Sequence, residues 1–517
     1  MKNYQHNIIL TFSLAFYWVL WLLLNPVLGY MLDSDCVAYL TLAERLAKGQ
    51  YFQSINGLWS PLNGWMIAPF IKSGFDSWAI AKALNCFIGA IVLLLSFFLT
   101  TRFVKNKTAT YLFAIVFPIV LAYQVYFQMF GDVLQLVFLL GYILLFTTPD
   151  FFKSITKVII ASVLMGIAYY AKAYSLFFFL IHFVAIATWA FYQRQTTLAQ
   201  SVKNILIAFV TIFIIIFPWN YVLHTKYKEW NFIGQSGKMN MSWNINSGKT
   251  FKPTYTLMIP PTYNDSPSFW EDPYLTQQNL STPFSSVTHF VKWLARVVHS
   301  CIEAVSCFHE VTFFAFAILC FGGYYFFKNK KEPFFETDFM MQLIIMTILI
   351  LPLGYLLMHI ETRYIWANGI LLWILVQQII IQFKQLSKQQ KLFLNVLVAF
   401  SFVFFPIKNT FSLRQKNKDL FETAAQLNQL KWHGKFAANV TDAGKMWVIA
   451  YLTKSSFYTI EKINYSEQEL IAEMKRYGVQ YYFFEAENNT VTHEPDNAYF
   501  KKISQINNLS IYQFINH

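Results

Sequence analysis

Charge is what this chain has least of. Asp, Glu, Lys and Arg make up 13% of its 517 residues, against about 25% in soluble globular proteins. Hydrophobic residues reach 56% and mean hydropathy is +0.39. That balance excludes a water-soluble globule and implies an integral membrane protein. Cysteine is scarce as well. Cys36, Cys86, Cys301, Cys307 and Cys320 are odd in number, with no CxxC and no His-containing ligand spacing, so neither a disulfide framework nor a zinc site is indicated. Cys301 and Cys307 would face different ways on a helix and are expected as free thiols. No internal repeat is visible and the outer loops are very unequal, which weighs against a transporter built from two related halves. Acidic residues are outnumbered 27 to 40, for a formal net charge of +13. The basic excess sits in short connections between apolar runs, which orients a membrane protein and does not imply nucleic acid. Lys2 precedes a long apolar run with no small-residue cleavage site behind it, so the run reads as a retained first span.

What is present in abundance is apolar sequence. About eleven runs are long enough to cross hydrocarbon, near residues 7–29, 79–100, 108–123, 131–147, 155–170, 174–191, 204–222, 308–327, 339–358, 364–382 and 391–407. Arg102, Lys105 and Lys107, then Lys153 and Lys157, Arg194 and Lys203, Lys328 to Lys331, and Lys384 to Lys391 fall in alternate connections, which are cytoplasmic by the positive-inside rule. The others face outward. The first, near 30–78, carries an amphipathic stretch from Ala38 to Lys48 with Gly49 as its stop. The largest, near 223–306, is rich in Asn, Ser, Pro, Tyr and Trp. Beyond Pro406 the chain becomes soluble in character. Strands are expected at Phe436–Val440, Phe457–Ile460 and Val479–Phe484, and a capped helix from Ser466 to Tyr477. The expected fold is an all-α polytopic module over residues 1–410 with a small α/β domain over 411–517 on the outer side. The Lys/Asn/Phe-rich usage points to a bacterial inner membrane, with the outer loops facing the periplasm or exterior.

Two acids stand immediately past the first span, in Met31-Leu-Asp-Ser-Asp-Cys-Val-Ala-Tyr39. Charge at the membrane surface is costly to hold near hydrocarbon and more often serves a site than a scaffold. The competing reading is that Asp33 caps the helix that follows, although a cap needs one acid and not two. Asp33 and Asp35 together are also the candidate ligands of a divalent cation, a thin site with no further carboxylate beside it.

Asp35-Cys-Val-Ala-Tyr39, the stretch Leu42-Ala-Glu-Arg-Leu-Ala-Lys-Gly49 and Ser60-Pro-Leu62 resemble the first outer loop of the polyprenyl-phosphate-sugar-dependent glycosyltransferases with the GT-C fold, the group of the protein O-mannosyltransferases and lipid A aminoarabinose transferases. Phe217-Pro-Trp-Asn220 is similar to that family's Pro-Trp exit into its large loop, and His359-Ile-Glu-Thr-Arg-Tyr364 to its late Arg-Tyr motif. Two departures stand out: Trp59-Ser60 replaces the Lys before Pro-Pro-Leu, and the Arg often following Pro-Trp is absent, with His224 and Lys226 the nearest cations. The resemblance implies an inverting glycosyltransferase that takes a sugar from a polyprenyl-phosphate donor to a lipid, glycan or protein acceptor.

Such a transfer needs a base for the acceptor hydroxyl and cations for the departing phosphate, both at headgroup depth. Asp35 is the expected base, with Asp33 second. Arg363 is the expected phosphate ligand, because it stands in a short outer loop where a cation is disfavoured; pairing with Glu361 is its structural alternative. Lys172, where family members often carry a basic residue, binds phosphate or snorkels to lipid headgroups. His359 and Tyr364 are further phosphate candidates, and Tyr39, His224 and Glu361 substrate candidates. Asp132 reads first as helix-start stabilisation and second as a sugar contact. Trp59, Trp65 and Trp78 read as an interfacial belt. Two other classes compete: a polymerase or ligase using lipid-diphosphate glycans through Arg296, His289 and His299, and a lipid or sugar transporter.

Overall fold

The structure is a computed structural model in which residues 2–127, 131–232, 234–246, 257–276, 280–328, 338–440, 442–460, 465–485, 495 and 498–515 are described. In chain order the helices are α1 (Lys2–Leu28), α2 (Ser34–Ala47), α3 (Tyr51–Ser54), α4 (Leu62–Lys72), α5 (Ser77–Phe103), α6 (Lys107–Phe127), α7 (Asp132–Phe146), α8 (Ile155–Ala171), α9 (Tyr174–Tyr192), α10 (Leu198–Tyr227) and α11 (Gln235–Ile245). They continue as α12 (Pro273–Thr276), α13 (Val287–Val311), α14 (Ala315–Lys328), α15 (Asp338–Ile350), α16 (Leu353–Leu356), α17 (Trp366–Gln382) and α18 (Lys388–Ser412), then α19 (Lys418–Gln429), α20 (Ala443–Leu452) and α21 (Glu467–Tyr477).

Among the described residues eight helical segments are long and apolar enough to cross a bilayer: α1, α5, α6, α9, α10, Phe339–Leu356, Thr362–Gln382 and α18. Shorter α7 and α8 and the bent pair α13–α14 complete the eleven apolar runs. The chain is therefore a multi-pass membrane protein. One expected span changes shape. The run near 308–327 belongs to two helices that meet at 100° across Thr312, whose backbone is extended at φ −162° and ψ 137°. Val287, Phe290, Val291, Leu294, Val298, Ile302 and Val305 form an exposed apolar stripe along α13 at helical spacing, the pattern of a helix lying in the membrane interface.

Several polar side chains inside the bundle are matched across helices, which satisfies them in hydrocarbon. The Tyr17 hydroxyl donates to the Cys86 carbonyl at 2.8 Å and the Asn204 amide to that of Phe152 at 2.8 Å. His182 bridges Tyr142 at 2.8 Å and Thr347 at 2.9 Å. Fully buried Trp373 fills the centre against Phe113, Phe117 and Phe402.

The C-terminal part of the chain, with one strand from the large loop, builds a six-stranded sheet: β1 (Met258–Ile259), β2 (Lys435–Asn439), β3 (Ser456–Ile460), β4 (Tyr481–Glu485), β5 (Phe500–Ile506) and β6 (Leu509–Phe514), in spatial order β1-β3-β2-β4-β6-β5. The β3-β2-β4 centre is parallel, with Ala437 opposite Tyr458 and Tyr482. Phe436, Ala438 and Phe483 pack with residues of α19 and α20, while Ala437, Tyr458 and Tyr482 pack with residues of α21. A sheet covered on both faces gives the uninterrupted apolar strands seen here. The capping box of Ser466 with Glu469 and left-handed Gly478 delimit α21. One strand comes from elsewhere: β1 belongs to the large loop and pairs antiparallel with β3. Helix α20 docks on α2, where Glu44 accepts from Tyr451 at 2.6 Å and from Ser77 at 2.7 Å.

Candidate active site

α1 ends at Leu28 and the chain turns at once into α2, which begins at Ser34. The Asp33 carboxylate caps α2, accepting from the Cys36 amide at 2.8 Å. That leaves Asp35 one residue into the helix, where it lines a cavity of about 500 Å³. Asp33 does not line this cavity; it serves as the N-cap. Burial, and then the Asp33 charge, raise the Asp35 carboxyl to about 6 against the opposing pull of Arg363 and of a hydrogen bond from Trp270.

Trp270 is brought to Asp35 by the large loop. Its indole N–H donates to Asp35 at 3.1 Å, and a clamp of buried charges holds the turn Phe269–Glu271. Arg45 Nη2 donates to Glu271 at 3.0 Å and to Asp265 at 3.0 Å, with Arg45 3% and Glu271 2% exposed. Lys226 pairs with Asp272 at 2.7 Å, and Trp59 donates to the Trp270 carbonyl at 3.2 Å. The other ring face of Trp270 meets Trp447 of α20, stacked at 5.1 Å and 16°. Removing one partner of a buried pair leaves an uncompensated charge, at a cost of about 3–5 kcal/mol. Arg45→Met is accordingly expected to lower the thermal midpoint of the detergent-solubilised protein by several degrees, and Arg45→Met with Glu271→Leu to recover most of the loss. Equal midpoints for wild type and Arg45→Met would remove the clamp from the fold's energetics.

The opposite wall is cationic and anionic by turns. Asp132, at the start of α7 after the turn at Gly131, pairs with Lys172, which sits between α8 and α9. The Lys172 ammonium lies 3.7 Å from the centre of the Tyr364 ring. Arg363 Nε lies 2.9 Å from Glu361 and 3.9 Å from Asp132. Tyr364 donates to Glu361 at 3.1 Å and stacks on Tyr355 at 4.4 Å. Arg296 of α13 donates to Glu303 at 2.6 Å and approaches His359 Nδ1 at 2.7 Å. A guanidinium only donates, so His359 Nδ1 accepts, leaving the Nε2 proton aimed at Glu361, 3.2 Å away. Burial opposes ionisation of Glu361, but His359, Arg363 and Lys172 outweigh it and bring that carboxyl down to about 2. Burial, and then the charge of Arg363, press the Lys172 ammonium below its ordinary range, while Asp132 supports it.

Eight expected residues thus share one cavity: Asp35, Tyr39, Asp132, Lys172, His359, Glu361, Arg363 and Tyr364. Two lie elsewhere. Asp33 is the cap, and His224 stacks flat on Trp230 at 4.3 Å on α10, away from the cavity. Asp132 is a charge partner and not only a helix-start residue, and Trp59 lines the cavity instead of joining an interfacial belt. The metal expectation rested on Asp33 and Asp35 alone. Asp33 is engaged as the cap, and among the described residues no group of three His, Cys, Asp or Glu is placed to hold one ion.

A second cavity of about 280 Å³ adjoins the first through Glu361 and Arg363. Phe117, Leu121, Val311, Trp366, Ile370 and Phe402 give it an apolar wall drawn from α6, α13, α17 and α18.

No family model and no curated protein matches the chain. Solved structures do. The Archaeoglobus fulgidus oligosaccharyltransferase, crystallised as a complex with Zn and sulfate, superposes with a TM-score of 0.53, covering 92% of this chain and 68% of its own at 13% identity. The chain has the GT-C fold. ArnT from Cupriavidus metallidurans bound to undecaprenyl phosphate covers 97% of both chains at 11% identity with a TM-score of 0.43. Its apo form gives 10% identity, coverage of 99% and 98%, and a TM-score of 0.46. Among the cavity residues beyond the expected site are Trp243 and Trp270, and Arg296, which only the competing polymerase or ligase class would use. No local pattern links them to Asp35; only the folding of the large loop does.

Proposed function

We propose that the protein is a membrane glycosyltransferase that moves a sugar from a polyprenyl-phosphate donor to an acceptor on the extracytoplasmic face of a bacterial inner membrane, with inversion at the anomeric carbon. The observation that carries this reading is the junction at Arg363. There a charged chamber holding an acid of raised pKa meets a second chamber whose wall among the spanning helices is mainly apolar, with Gln124, Glu310 and Asn409 also on its lining. A phosphate with hydrocarbon on one side and a sugar on the other matches that junction.

Asp35 takes the proton of the acceptor hydroxyl as its oxygen attacks C1 of the sugar. The bond from C1 to the phosphate oxygen breaks and its electron pair leaves with the phosphate, whose growing charge Arg363 and Lys172 stabilise. Asp132 and Glu361 hold both cations in position beforehand, and His359 and Tyr364 hold Glu361. A polymerase or ligase acting on lipid diphosphates would draw on Arg296, His289 and His299. Of these only Arg296 lines the cavity, and it is engaged by Glu303 and His359.

Protein in nanodiscs of bacterial lipid, supplied with a decaprenyl-monophosphate hexose and membrane-extracted acceptors, is expected to release decaprenyl phosphate and form a covalent glycoside of inverted configuration. Turnover confined to a decaprenyl-diphosphate oligosaccharide, or flux into vesicles without a covalent product, would overturn the proposal.

A further inference from the structure

The charged wall accounts for only part of the large cavity. The remainder is built by α11, a helix that connects no two spans. Its start is pinned to the first outer loop, where the Gln235 amide donates to the Gly57 carbonyl at 3.1 Å. At that crossing Gly234 adopts φ +81°, a conformation that favours glycine, and a Cβ on Gly57 would fall 1.9 Å from the Gln235 side-chain oxygen, which would have to move. So anchored, α11 lines the cavity with Ser236, Gly237, Asn240, Trp243 and Asn244, and with Met239 at the edge of that face. These positions recur at the spacing of one helical face.

No residue of that stripe is charged. The helix's one charged side chain, Lys238, leaves from the opposite face and pairs with Glu229 at 2.6 Å. Asn240 and Asn244 each donate one amide hydrogen to the carbonyl four residues earlier, at 3.0 and 2.7 Å. Among the described residues no protein group takes their side-chain carbonyl oxygens, so each amide retains an acceptor and a donor for a ligand. Trp243 is 37% exposed and meets Trp270 edge to face at 6.1 Å and 73°. Trp59, 6.0 Å from Trp270, continues the aromatic wall. Amides that donate and accept beside aromatic rings match one ligand chemistry: a ring with hydroxyls on its edges and C–H groups on its face.

Resting on the glycosyltransferase reading, we propose that the cavity face of α11, with Trp59 and Trp270 behind it, is a subsite for an uncharged, hydroxyl-rich saccharide. An ionised sugar finds no counter-charge on this face, and the chamber's nearest cation on α13, Arg296, is held by Glu303 and His359. The saccharide is the donor's own sugar or the terminal residue of a glycan acceptor.

The test is saturation-transfer NMR on the full-length protein in nanodiscs with methyl glucopyranoside, glucuronic acid and glucosamine as probes. The neutral glycoside is expected to bind in the millimolar range and the two charged sugars at least 5-fold more weakly. Trp243→Ala with Asn244→Ala, both on an accessible face, is expected to weaken the neutral glycoside at least 10-fold with the thermal midpoint unchanged. Equal binding of the charged sugars, or undiminished binding by the double variant, overturns the subsite. Adding the decaprenyl-monophosphate hexose separates the sources: it displaces the glycoside from a donor-sugar subsite and leaves it bound at an acceptor subsite. Glycoside binding as expected without turnover of any decaprenyl-phosphate sugar sustains the subsite and rejects the glycosyltransferase reading. Turnover with unaltered binding by the double variant does the reverse.

Discussion

Asp35→Asn is expected to reduce transfer by about 10²–10⁴-fold, the range for loss of a positioned general base, while the protein inserts and folds. The same change is expected to stabilise the fold at neutral pH. The Asp35 carboxyl has an ordinary value of 3.8 and stands at about 6 in the folded chain. The folded state therefore holds the proton more tightly than the unfolded one. Stability from this group is complete below pH 3.8 and lost as pH rises through about 6. Two units correspond to at most roughly 3 kcal/mol. The asparagine variant escapes that cost, so its thermal midpoint should exceed that of wild type at pH 7.5 and approach it near pH 4. For the wild-type enzyme, kcat/KM should fall on the acid side with a midpoint near 6. Asp33→Asn retains a capable N-cap but removes a charge that raises Asp35, so it should move that midpoint to lower pH. Full activity in Asp35→Asn would take Asp35 out of the mechanism.

Arg363→Gln is expected to lower kcat by about 10²–10³-fold at saturating donor, because the lost interaction strengthens as charge gathers on the leaving phosphate. Arg363→Lys should recover part of the rate, since it restores the charge without the two-pronged contact to Glu361. Arg363 also neutralises Glu361 and faces Asp132, so the single variant loses stability as well. Arg363→Gln combined with Glu361→Gln separates the two effects: its thermal midpoint should return toward wild type and its kcat should not. A double variant that regains turnover would mean that Arg363 serves only to hold Glu361.

The charged half of the site was legible because topology confines it. Asp35, Lys172 and Arg363 each stand beside the end of an apolar run, and they line one chamber. The same logic could not separate Asp33 from Asp35, since a cap and a base are one residue type two positions apart, and only the hydrogen bond to the Cys36 amide assigns them. The aromatic half was silent. Trp270 reaches Asp35 through a turn whose position depends on Arg45, a residue far away in sequence. The cavity face of α11 is polar and aromatic, so it carries no apolar periodicity to betray a buried side. β1, at two residues, is too short to leave a strand pattern. The bend between α13 and α14 escaped notice because an interfacial helix and a span can share one apolar run.

The pairing of β1 with β3 imposes an order on biosynthesis. The segment carrying Met258, Ile259 and Trp270 emerges well before its neighbours Thr459, Ile460 and Trp447, with α14, α15, α17 and α18 still to be threaded between them. Until that later stretch has been made and folded, the tryptophan that bonds to Asp35 lacks its stacking partner and its strand lacks its neighbour.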